Sequence, residues 1–158
     1  MTSEAESPDL VSGGPVLEHP LKIPVDIREI AESFVADFPW LARTDRAAAA
    51  CEDMSSRLAQ RHVDARLLYA LGCRTYFPNR SRMYERDPNP DPFLCHTVCR
   101  IGDWCICVTR RQFDPHCRHP FIQHRSEFDR EWLRTSDTVI VPTDAEIDGL
   151  ARELAVSR

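Results

Sequence analysis

Two side chains with complementary chemistry stand well apart in the chain: Cys51, in Ala50-Cys51-Glu52-Asp53-Met54, and His96, in Leu94-Cys95-His96-Thr97-Val98. A thiol attacks as its thiolate, and a nearby imidazole can accept its proton and lower its pKa. Such a pair can supply a thiol nucleophile and its base. The bland alternative is that Cys51 is a core residue of an alanine-rich helix and His96 a satisfied structural histidine. A second cluster, Cys105, Cys107, His116, Cys117 and His119, raises the question of a metal. Structural zinc prefers Cys pairs on turns. Cys105 and Cys107 are instead two apart on an expected strand, about 6.6 Å between Cα atoms. Metal binding by these five is therefore the minor reading, and no cofactor is expected.

The elements that must position Cys51 and His96 follow from periodicity. Residues 1–24, rich in Ser, Pro, Gly and Glu, read as a flexible arm ahead of one domain over 25–158. Ile27, Ile30, Ala31 and Phe34 recur at helical spacing, predicting a helix over Asp26 to Asp37. Thr44 or Asp45 can cap a second helix running from Arg46 to about Gln60, with Ala47, Ala50, Cys51, Met54 and Leu58 on one stripe. Ala65 to Leu71 reads as a strand closed by Gly72. Residues 78–92 read as a polar, proline-punctuated loop, where Arg80, Arg82 and Arg86 face solvent or an acidic partner.

A hairpin is expected next, Phe93–Arg100 and Trp104–Arg111 about a turn at Gly102-Asp103. Its register pairs Ile101 with Trp104, Val98 with Cys107 and His96 with Thr109. His96, Cys107 and Thr109 then share one face. Trp104, Ile106 and Val108 form an apolar face that reads as core. Phe113 to His124 reads as a loop, Ser126 to Leu133 as one or two helical turns, and Thr138–Val141 as a strand. Thr143 caps a last helix with Asp144 and Glu146 in its first turn. Helices set apart from a mostly antiparallel sheet make an α+β fold.

Composition bounds the partners. The chain has 158 residues, 42% hydrophobic and 28% charged, an ordinary globular balance. Its net charge of -5 gives no basic footprint for nucleic acid. No apolar run approaches the roughly 20 residues of a membrane span. Lys22 is the sole lysine, a codon-usage signature without functional content. Seven cysteines, an odd number with no leader ahead of them, suggest a reduced, cytoplasmic protein. The expected partner is a protein or peptide substrate.

Cys51-Glu52-Asp53-Met54-Ser55 with Leu58, then Ala65-Arg66 and Gly72, His96, Gly102-Asp103, and Thr109 followed by Arg110-Arg111-Gln112-Phe113-Asp114-Pro115 together resemble the papain-like and transglutaminase-like cysteine enzymes. The resemblance covers about residues 45–135. It implies an α+β core and acyl transfer on amides, whether peptide hydrolysis, deamidation or transamidation, with Cys51 as nucleophile, His96 as base, Cys107 at the third catalytic position, and Thr109, Gln112 and Trp104 as substrate contacts. The orienting carboxylate of that family falls two residues before Thr109, where this chain has Cys107. A thiol cannot stabilise an imidazolium as a carboxylate does. Three readings stay open: a Cys51–His96 dyad, another acid such as Asp114 or Asp103, or a catalytically degenerate module that binds protein.

Overall fold

The computed structural model describes residues 21–43, 51–74 and 95–156. The elements are α1 (Val25–Asp37), a 3-10 turn Pro39–Ala42, α2 (Cys51–Ala59), β1 (Ala65–Cys73), β2 (Cys95–Ile101), β3 (Trp104–Cys107), a 3-10 turn Arg110–Gln112, β4 (Phe121–His124), α3 (Arg125–Glu131), β5 (Trp132–Ser136) and α4 (Asp144–Val156). The five strands form one sheet in the order β4-β3-β2-β1-β5 with every neighbour antiparallel. The domain is α+β. Most of the expected arm, the Thr44/Asp45 cap and the 78–92 loop with Arg80, Arg82 and Arg86 lie outside the described residues.

The sheet is covered on two sides by separate apolar clusters. On one side, Ile27, Ala31 and Phe34 of α1 and Met54 and Leu58 of α2 pack against Ala65, Cys99, Ile101 and Ile106. On the other, Leu68, Ala70, Val98, Cys105 and Cys107 meet Phe113, Phe128 and Trp132. This division follows the strand period of two, which sends Val98 and Cys99 to opposite faces. The α1 stripe read from the sequence is the buried one, with Ala31 and Phe34 at 0% exposure.

The central hairpin has the expected register, Ile101 opposite Trp104 and Cys99 opposite Ile106, about a positive-φ Gly102. It is shorter than expected. β3 stops at Cys107 because Thr109 leaves the extended region (φ -118°, ψ 6°) to cap the 3-10 turn. The ladder pair of His96 with Thr109 therefore does not form.

Three other expectations are corrected. The stretch from Phe113 to His124 is not all loop, since Phe121–His124 pairs with β3 as an edge strand. The helical segment runs Arg125–Glu131, and the chain becomes extended at Trp132 to pair with β1. Thr138–Val141 is not a strand. Its β-branched residues have no sheet partner, and Val139 and Val141 are 60% and 81% exposed. The Thr143 cap is present as a reciprocal capping box: the Glu146 amide donates to Thr143 Oγ1 at 3.3 Å, and the Thr143 amide to Glu146 Oε2 at 2.9 Å.

Gly72 lies inside β1 rather than ending it, with φ at +71°. A Cβ there would stand 2.8 Å from Leu133 Cδ1 and 3.2 Å from Leu133 Cβ. Gly72→Ala is expected to cost at least about 1–2 kcal/mol from the left-handed backbone alone, read as a lowered urea midpoint with unchanged m-value. A midpoint equal to that of the wild type would contradict the observed φ.

Candidate functional site: Cys51, His96 and Cys107

His96 and Cys107 come together as their common face predicts. The β2–β3 ladder runs as far as Cys99 opposite Ile106; just beyond it, His96 Nε2 lies 2.9 Å from Cys107 Sγ. The imidazole is 5% exposed, stacked on Trp132 at 5.6 Å and met edge-on by Phe113 at 5.2 Å. Burial in this apolar cage, with the Arg110 charge adding to it, lowers the His96 pKa to about 3. Burial likewise pushes the Cys107 thiol up to about 12. The pair is a neutral imidazole beside a neutral thiol, joined by one hydrogen bond.

Cys51 belongs to the other face. Thr97, the neighbour of His96, points towards α2, as does Tyr69, which stands opposite it in β1. Tyr69 Oη donates to Glu52 Oε1 at 3.4 Å, and Ser55 Oγ donates to the Thr97 carbonyl at 3.0 Å. Thr97 stands beside the Cys51 thiol. Desolvation raises the pKa of that thiol, and the polar groups of Thr97 pull it down by less. Among the described residues no hydrogen bond joins Cys51 to His96. Whether another helical turn precedes Cys51 falls on residues 44–50, outside the described residues.

An open cavity of about 370 Å³ lies beside Cys51, within the usual range for ligand pockets. Glu52, Tyr69, Leu71, Cys95 and Thr97 line it with Cys51, and Ala70, His96, Val139 and Ile140 complete the wall. Glu52, Tyr69, Cys95 and Thr97 were not singled out from the sequence. The signal that could have found Thr97 and Cys95 was the same strand alternation that placed His96, read for its opposite face.

The remaining candidates do not join this cavity. Trp104 pairs with Ile101 at the far end of β2 and meets His124 edge-on at 5.5 Å. It packs against the α1/α2 cluster and is not among the residues that line the cavity. Thr109 is 2% exposed with its Oγ1 unpartnered among the described residues. It caps the 3-10 turn and is not among the residues lining the cavity. Gln112 belongs to the 3-10 turn, and its side chain lies outside the described residues. Neither alternative acid reaches His96: Asp103 sits in the hairpin turn, and Asp114 accepts from Arg110 Nε at 3.4 Å. Cys105 is buried, with its pKa raised to about 12 by desolvation. Cys105, Cys107, His116, Cys117 and His119 form no ligand set. Among the described residues no group of three or more His, Cys, Asp or Glu could hold a metal ion, and no helix is long and apolar enough to cross a membrane.

The chain matches no protein-family model, no curated protein and no solved structure.

Proposed function

We propose that this domain is a catalytically degenerate member of the papain-like or transglutaminase-like framework, binding a protein or peptide segment rather than transferring acyl groups. One observation carries the reading: His96 spends its Nε2 on Cys107 inside an apolar cage, and among the described residues no hydrogen bond joins it to Cys51. A base whose pKa falls to about 3 has little driving force to take a proton from a thiol whose own pKa is raised. The cavity suits recognition. Leu71 and Ile140 offer apolar wall, and Tyr69, Glu52 and Thr97 offer a few polar groups.

A second reading, acyl transfer by a Cys51–His96 dyad, is favoured by the fact that both residues contribute to the same cavity wall. The pH-dependent rate of iodoacetamide labelling, assigned by mass spectrometry, separates the two. The binding reading expects Cys51 to label with an apparent pKa at or above the free-thiol value of about 8.5, with the same profile in His96→Gln. A Cys51 pKa well below that value, lost in His96→Gln, would overturn it and restore the dyad.

A further inference from the structure

All seven cysteines are thiols, and four of them, Cys73, Cys99, Cys105 and Cys107, are buried. Of the other three, Cys117 stands on the loop before β4, away from the cavity. Cys51 is half-buried and Cys95 exposed, and both line the same cavity. Cys95 and Thr97 project from the same face of β2, about 6.7 Å apart along the strand, and Thr97 stands beside the Cys51 thiol and lines the cavity with it. Cys95 is also the first residue of β2, where the chain enters the sheet.

We propose that Cys51 and Cys95 are a redox-modification site, closing to an intramolecular disulfide across the cavity when a hydroperoxide reaches it. The inference stands apart from the binding reading, because it depends only on two thiols sharing one accessible cavity.

The chemistry needs no other reactant. The Cys95 thiolate attacks the terminal oxygen of the hydroperoxide. An S–O bond forms, the O–O bond breaks, and the leaving oxygen takes a proton to depart as water or alcohol. Cys51 sulfur then attacks the sulfenic sulfur. The S–S bond forms, the S–O bond breaks, and hydroxide leaves with the Cys51 proton as water. Two thiols are oxidised and one peroxide is reduced. Cys95 acts first because it is exposed, and Cys51 resolves. The product ties the start of α2 to the start of β2 across the cavity, so the cavity exists fully open only in the reduced chain.

Hydrogen peroxide is the probe, applied to the full chain, with thiols counted under denaturing conditions and disulfides mapped by non-reducing peptide analysis. The expected result is a fall from seven titratable thiols to five, a Cys51–Cys95 linked peptide, and full recovery with dithiothreitol. Cys51→Ser should leave the Cys95 sulfenic acid trappable by dimedone. A linked pair of other composition, a Cys95–Cys95 bridge between two chains, or over-oxidation of Cys95 with Cys51 still a thiol would each overturn the proposal. The mapping on unmutated protein decides even where a variant folds poorly.

Discussion

Glu131→Ala will destabilise the fold by about 3–5 kcal/mol, the usual cost of stranding one member of a buried ion pair. Glu131 holds the Arg110 guanidinium through two bonds, Nη2 to Oε1 at 2.6 Å and Nη1 to Oε2 at 2.9 Å, with side-chain exposures of 10% for Glu131 and 8% for Arg110. Gln123 Nε2 donates to the same carboxylate at 3.3 Å. The guanidinium lies 3.9 Å above the Phe121 ring, so water cannot replace the lost carboxylate on that side. Burial alone would lower the Arg110 pKa, but the Glu131 bonds and charge outweigh it and hold the arginine charged. Asp114, at 3.4 Å, offers only weak compensation. Urea denaturation gives the number, and an Arg110→Met/Glu131→Leu double variant should recover most of the loss, since apolar replacement of both partners is often neutral. A loss below about 1 kcal/mol in Glu131→Ala would mean that the pair is solvent-screened like a surface bridge.

Acid will destabilise the protein through His96. The folded pKa of this group is depressed to about 3, against an ordinary imidazole value of 6.5. Between those values the unfolded chain binds a proton that the native state refuses, so stability rises with pH. The contribution is complete above pH 6.5 and is lost as pH falls towards 3, at up to about 1.4 kcal/mol for each unit. Carboxylates add their own acid sensitivity, so the decisive comparison is with His96→Leu, which fills the apolar cage without titrating. Its stability slope between pH 6 and 4 should correspond to nearly one proton fewer taken up on unfolding. An unchanged slope would show that His96 is protonated in the native state.

These outcomes bear on what could be read from residues alone. The hairpin register was legible because Gly102-Asp103 fixes the turn and the Trp104, Ile106, Val108 alternation fixes the faces. The His96–Cys107 contact followed from it. The same alternation also separated Cys51 from His96, but only the side of the sheet on which α2 packs decides that, and the sequence does not encode it locally. Met54 and Leu58 fit either apolar face of β2. The strands β4 and β5 were obscured for different reasons. Phe121–His124 is an edge strand of four residues beside Pro120, and Trp132–Ser136 follows a helix directly, with no intervening glycine or proline. Val139 to Val141 carried strand propensity without a partner to pair with. The Arg110–Glu131 pair joins residues far apart in sequence and leaves no periodic signature.

The central claim is that His96 is a caged, neutral partner of Cys107 and not the base of Cys51. Nitrogen-15 spectra of the His96 imidazole across pH test it most directly. The account predicts a neutral ring from pH 8 down to about 4.5, given the depressed pKa, with shifts unmoved when Cys51 is alkylated. A ring that titrates above pH 6, and whose titration shifts on alkylation of Cys51, would contradict it and return the pair to the chemistry of a thiol enzyme.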